Sequence, residues 1–255
     1  MVTIVGGGPG DPELLTLKGK KALEQADVVV YDALIDPELL KIAARQSKKI
    51  YVGKRRHRHT YEQSEINELL LCYAKKGRTV CRLKGGDPFL FGRGAEEAEF
   101  LVQHGISVQI IPGVSSVIAV PEAAGIPLTH REYASSVTIT TGHEVGIKNG
   151  KGASRDWSAY APRKSVVLLM GLARIKEIVQ ELLWGGWPSQ TLIALICSGT
   201  LPQQFCLTAT LKTLLKEISK NKKLISSPAM IVVGDVIRLQ TKIYPKRGYF
   251  YDARQ

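Results

Sequence analysis

The chain is poor in the features that would tie it to an oxidising compartment or to a bilayer. Only four cysteines occur in 255 residues, at 72, 81, 197 and 206, and no two of them form a C-x-x-C pair. That spacing suits neither a disulfide framework nor a zinc site, so reduced thiols in a cytoplasmic protein are expected. No uncharged apolar run reaches the length that spans a bilayer. The first residues, Val2-Thr3-Ile4-Val5, read as a strand and not as a basic leader before an apolar stretch, so neither membrane insertion nor processing is expected.

Acidic residues are also in the minority, 23 against 35 lysines and arginines, which leaves a net charge of +12. The excess is uneven: −2 over residues 1–47, +8 over 48–84, −3 over 85–131 and +9 over 132–255. A block as dense as 48–84 calls for an anionic partner, whether nucleic acid, membrane surface or polyanionic small molecule. Aromatics amount to 7% of the chain and nowhere interleave with a basic run as base-stacking surfaces require, which argues against nucleic acid. What the chain does have is 44% apolar residues, enough for one large or two modest cores.

The apolar pattern alternates between strand and helix. Strands are predicted over 2–5, 28–31, 49–52, 79–83 and 108–111, and helices over 14–26, 64–74 and 95–103. Such alternation predicts a mostly parallel sheet covered on both faces. Pro112-Gly113 breaks the pattern, because proline cannot continue a ladder, and we place a domain junction there, giving domains over 1–112 and 113–245 and a tail over 246–255. The second domain is predicted to hold a helix over 115–125, strands over 136–141, 165–170, 191–197 and 229–233, and helices over 175–183 and 211–217 in a mixed α/β arrangement. The polar stretch 145–156 reads as a loop.

Two glycine turns follow strands. Gly6-Gly7-Gly8-Pro9-Gly10-Asp11-Pro12 fails the dinucleotide fingerprint G-x-G-x-x-G because position 11 is aspartate, and no G-x-x-x-x-G-K-[ST] occurs. A carboxylate there repels a pyrophosphate, and Pro9 and Pro12 each remove a backbone donor. The bland reading makes Asp11 a helix cap with Pro12 as first helical residue. A second turn, Lys84-Gly85-Gly86-Asp87-Pro88, follows the strand over 79–83. Paired Gly-Asp-Pro turns suit a ligand approached closely by backbone and carrying positive charge.

Residues 8–19, GPGDPELLTLKG, closely resemble the N-terminal signature of the tetrapyrrole methylase family, and residues 82–97, RLKGGDPFLFGRGAEE, resemble its second signature. The same family pattern is echoed, in order, by VYDALI at 30–35, VGKR at 52–55, QSEIN at 63–67, PGVSS at 112–116, AGIPLTHR at 124–131 and TGH at 141–143. Within the family, VYDALI followed by VGKR resembles the branch acting on uroporphyrinogen III; same-fold relatives act on other corrin precursors or on ribosomal RNA. The resemblance implies two α/β domains, a homodimer, and S-adenosyl-L-methionine bound between the domains and released as S-adenosyl-L-homocysteine, with no metal. It implies two methylations of uroporphyrinogen III, through precorrin-1 to precorrin-2, on the route to sirohaem or cobalamin.

Carried over by motif, the cofactor contacts would be Pro9, Gly85, Gly86, Asp87, Leu90, Ser115, Ser116, Met170 and Gly199. Ser115-Ser116 departs slightly from the family's Thr/Ser-Ala but keeps small residues. By the same resemblance Asp32 is the proton acceptor and Lys54 the proton donor. From the residues alone, Asp32 is either a turn cap or a site carboxylate at a strand end, and Lys54 either a proton donor or an anchor for substrate carboxylates. Arg55 and Arg131 are expected to bind those carboxylates, Arg55 through its bidentate fork. His57-x-His59 is a poor metal site, because Arg55, Arg56 and Arg58 flank it and no carboxylate or thiolate lies close in sequence.

Overall fold

The computed structural model describes residues 1–53, 61–142 and 164–244, together with the backbone of 250–252. It divides into two compact units, Met1–Ser116 and Val117–Gln255. In the first, β1 (Val2–Gly6), α1 (Leu17–Glu24), β2 (Val28–Tyr31), α2 (Pro37–Ile42), β3 (Lys48–Tyr51), α3 (Gln63–Lys75), β4 (Val80–Lys84), α4 (Gly94–Gln103) and β5 (Val108–Ile111) alternate along the chain. The sheet order is β3-β2-β4-β1-β5. Every pairing is parallel.

Side chains alternate across this sheet as the pleat demands. Val2, Ile4, Val28, Val30 and Val80 pack with Ile66 and Leu70 of α3 and Leu101 of α4. Val5, Val29, Cys81 and Leu83 face the other way, against Leu23 of α1 and Leu39 of α2. Burying each such aliphatic side chain stabilises the fold by about 1.5–3 kcal/mol.

Helix starts follow local chemistry. Thr16 caps α1 by accepting from Gly19 N at 3.0 Å, and Asp36 caps α2 with Pro37 behind it. Glu62 and Glu65 form a capping box at α3. The predicted helix over 14–26 is interrupted. Asp11 and Pro12 begin a short 3-10 turn, Pro12–Leu14, and α1 starts afresh from its own cap. The helix α2 was not expected, because six residues are too few to show a helical period.

The second unit begins in α5 (Ser116–Ala123) and continues through β6 (Ser136–Thr141), β7 (Lys164–Leu169), α6 (Ile175–Trp184), β8 (Leu192–Cys197), β9 (Phe205–Thr210), α7 (Leu214–Lys220), β10 (Ala229–Val233), α8 (Gln240–Ile243) and β11 (Phe250–Asp252). Its sheet runs β11-β9-β8-β10-β7-β6. The ladders β6·β7 and β9·β11 are parallel, and the other three are antiparallel. The mixed sheet is as predicted; β9 and β11 are additions. The stretch 246–255, read from sequence as a tail, supplies β11. The unit boundary falls four residues beyond Pro112-Gly113 because Gly113 N donates to Asp87 Oδ2 at 3.2 Å, which fastens the start of the connector to the first unit.

Cys72 is exposed on α3, whereas Cys81, Cys197 and Cys206 are buried. Burial pushes the Cys81 thiol up to about 12, against the opposing pull of Arg82. A thiol reagent added to the native protein is therefore expected to label Cys72 rapidly and the buried three only after unfolding. Fast labelling of a second cysteine, read by mass spectrometry, would contradict the packing of these strands.

Candidate functional site

In the first unit the carboxyl ends of five parallel strands share one edge, where open α/β sheets place their ligands. From β1 the chain leaves to the face covered by α1, and from the adjacent β4 to the face covered by α4. The two glycine turns thus open side by side as the chain diverges. They are also bonded to each other: Gly86 N donates to Gly8 O at 2.6 Å, Gly8 N to Gly86 O at 3.3 Å and Gly7 N to Lys84 O at 2.7 Å. The turn after β5 joins them, since a Cβ on Gly6 would stand 2.5 Å from Gly113 Cα.

Much of the glycine content is therefore spent on backbone meeting backbone. Gly86 differs. It sits at φ +65, and the nearest atoms to a Cβ there would be Ser116 N at 3.8 Å and Ser116 Oγ at 3.9 Å. Asp87 holds the turn with both oxygens, Oδ1 accepting from Phe89 N at 2.9 Å and Oδ2 from Gly113 N. Pro9, Gly85, Gly86, Asp87, Ser115 and Ser116 accordingly occupy this one edge. Leu90 lies just beyond in an exposed apolar loop with Phe89 and Phe91.

Asp32 follows β2 on the same edge. Its Oδ1 accepts from Leu34 N at 3.2 Å, so the turn-cap reading holds in part. Its Oδ2 lies 3.8 Å from Arg82 Nη2. Arg82 and Lys84 are charged yet buried, because they belong to the central strand and point to the face covered by α3 and α4. There Glu97 Oε1, wholly buried, accepts from Arg82 Nε at 3.2 Å, Lys84 Nζ at 2.8 Å and Gln63 Nε2 at 3.1 Å. Burial pushes the Lys84 ammonium below its ordinary pKa, Arg82 adds to that, and Glu97 and Asp32 oppose it. Neither Arg82, Lys84 nor Glu97 was singled out from sequence. The available signal was two charges at alternate positions of an otherwise apolar strand, with a glutamate four residues before the buried Leu101 on α4.

In the second unit β6, β7 and β8 point the same way. Met170 and Gly199 follow β7 and β8 and lie at the same edge of that sheet. Met170, Ser198 and Thr200 all take positive φ, at 55, 49 and 67, so these strand ends are held in conformations uncommon for residues with side chains. A Cβ on Gly199 would run into the Val120 side chain. Arg131 is not brought beside them. It is exposed in the turn closed by His130 N donating to Ala134 O at 2.8 Å, which leads into the opposite, amino end of β6. A groove of about 480 Å³ lined by Val117, Ile118, Leu128, Val137 and Ile139 contains none of the predicted residues.

Lys54, Arg55 and the His57-x-His59 pair lie outside the described residues, as does the expected loop over 145–156. Among the described residues no three His, Cys, Asp or Glu side chains are grouped as a metal ion would need, and no helix is long and apolar enough to cross a membrane.

The family profile described as Tetrapyrrole (Corrin/Porphyrin) Methylases matches residues 1–215. A uroporphyrinogen-III C-methyltransferase of Methanocaldococcus jannaschii is 46% identical over 239 residues, covering 93% of this chain and 97% of that one. A siroheme synthase of Nitrosomonas eutropha is 45% identical over 243 residues, 95% of this chain and 50% of its own length, so the chain spans about half of the longer relatives it matches. The crystal structure of uroporphyrin-III C-methyl transferase from Thermus thermophilus complexed with S-adenyl homocysteine superposes with a TM-score of 0.75 at 38% identity, over 93% of this chain and 98% of that one.

The backbone contact at the strand edge leaves no room for a side chain. A Cβ on Gly113 would overlap Gly86 O and stand 2.7 Å from Gly6 Cα. Gly113→Ala is expected to destabilise the first unit by about 1–3 kcal/mol, the usual cost of overpacking where backbone must move. An unchanged thermal midpoint would contradict the close approach.

Proposed function

The chain belongs to the tetrapyrrole methylase family, and on that footing we propose that it is an S-adenosyl-L-methionine-dependent C-methyltransferase acting twice on uroporphyrinogen III to give precorrin-2 by way of precorrin-1. The observation that carries the reading is the placement of Asp32. It stands at the carboxyl end of a parallel strand, partly exposed, on the edge that also holds both Gly-Asp-Pro turns. The side-chain-free backbone of Gly86 near Ser116 and the carboxylate of Asp87 fit a cationic ligand approached by backbone.

The donor, when bound, supplies a sulfonium-activated methyl group. A ring carbon of the substrate forms the new carbon–carbon bond as the methyl–sulfur bond breaks, releasing S-adenosyl-L-homocysteine. The protein's part is to hold the two in line. The methylated ring is cationic and regains its conjugation by losing a proton, and Asp32 accepts that proton. Pro9, Gly85, Gly86, Asp87, Leu90, Ser115 and Ser116 of the first unit are the proposed donor contacts, with Met170 and Gly199 proposed for the second. Lys54 serves as proton donor or carboxylate anchor, and Arg55 and Arg131 bind substrate carboxylates. The assembly proposed is a homodimer, which a monomeric mass in light scattering would contradict.

Anaerobic incubation of the protein with uroporphyrinogen III and methyl-labelled donor is expected to yield a doubly methylated tetrapyrrole; label on RNA, or on no acceptor, would overturn the reading. Asp32→Ala is expected to keep donor binding by calorimetry while turnover falls by roughly a hundredfold or more, the ordinary loss on removing a proton acceptor. A folded Asp32→Ala protein that no longer binds the donor would contradict the role given to this residue.

A further inference from the structure

We infer that Glu97 is a positioning residue for the methyl transfer: through the Arg82 guanidinium, which it grips from α4, it fixes the place of Asp32 at the end of β2. The inference rests on the reading of Asp32 as proton acceptor.

The guanidinium has no freedom left. Its Nε donates to Glu97 Oε1, and its Nη1 donates to Val30 O at 3.3 Å and to Leu83 O at 3.1 Å. Only Nη2 is turned toward Asp32. Glu97 thus binds one nitrogen of the planar fork while Asp32 faces another as an ion pair at 3.8 Å, so a shift of the first moves the charge that faces the second. The two carbonyls belong to β2 and β4, so the fork also spans the strand pair from which Asp32 projects.

The distribution of bonds on Glu97 points the same way. Its Oε1 takes three donors while Oε2, equally buried, has none. Spreading the donors over both oxygens would satisfy the carboxylate better. The lopsided set holds Arg82 and Lys84 on one oxygen, and within this cluster the charge facing two buried cations is completed only by Asp32 at its rim.

The test compares Glu97→Gln, Glu97→Asp, Arg82→Lys and the charge-balanced pair Lys84→Met with Glu97→Gln, using steady-state methyl transfer to uroporphyrinogen III and thermal melting. Glu97→Gln is expected to lower kcat by about tenfold to a hundredfold while KM for the donor stays close to the parent value, the mark of misplaced groups in a site that still binds. Glu97→Asp, which keeps the charge, should recover part of the loss. The double variant should recover the melting temperature without recovering kcat; recovery of both together would show a structural role only and overturn the inference. Should Glu97→Gln fail to fold, Arg82→Lys keeps the charge but loses the fork and must still lower kcat; parent kcat in a folded Arg82→Lys or Glu97→Gln protein overturns the inference. Asp32→Asn separates the two ideas. If it loses turnover while Glu97→Gln does not, only the positioning role fails; if Asp32→Asn turns over like the parent, the reading of Asp32 fails and takes this inference with it.

Discussion

The strand edge of the first unit depends on backbone being allowed to touch backbone. Gly6, Gly86 and Gly113 come from three different strand ends, and a Cβ on Gly6 or on Gly113 would strike the main chain of the other and the carbonyl oxygen of Gly86. The mutual bonds of Gly8 and Gly86 tie the first two ends, and Asp87 ties the third by accepting from Gly113 N. Three loops that would otherwise move separately become one surface. A donor molecule held on such a surface meets fixed peptide groups, which is the kind of positioning an in-line displacement needs.

Beneath that surface lies a cost. Two cations and a carboxylate on the covered face of β4 have been taken out of water, and their mutual attraction in a protein interior commonly does no more than offset the desolvation. Apolar residues at 82, 84 and 97 would extend the cluster of Val80, Ile66, Leu70 and Leu101 without that penalty. The cluster is therefore a poor source of net stability but a strong local constraint, because removing one member strands the others at a cost of about 3–5 kcal/mol. Its outer end is Asp32, so the constraint is delivered where the chemistry is proposed.

How much of this was legible depended on the kind of signal. The strands β1, β2, β5, β6 and β10 are continuous apolar or alternating runs, and their periodicity was sufficient. The helix α2 was missed because Asp36-Pro37, a sound start signal, opens a helix of only six residues. The strand β9 carries Thr208 among buried neighbours and is followed after a three-residue turn by a helix, and β11 lies in a stretch that reads as a tail; both take their strand character from pairing with chain already in the sheet. The Gly-Asp-Pro turns were visible as special, but sequence could not divide their glycines between those pressed against backbone and Gly86, whose place at φ +65 would leave a Cβ in ordinary contact with Ser116. For Arg82, Lys84 and Glu97, the motif was visible while the geometry was not. A charge in a strand reads as surface until the helices on that face are in place.

The same point revises the charge argument. The block 48–84 carries a net +8 and invited an anionic partner, yet its positive groups do not act as one field. Arg82 and Lys84 are inside, facing Glu97. Lys48 and Lys76 lie over the Tyr73 ring at 5.3 and 5.6 Å from its centroid. Lys48 opens β3 and Lys76 closes α3, at the amino edge of the sheet, away from Asp32. The densest basic run of the block, Lys54, Arg55, Arg56 and Arg58, follows β3 in sequence. The sum of +8 therefore does not describe a single anion-binding surface.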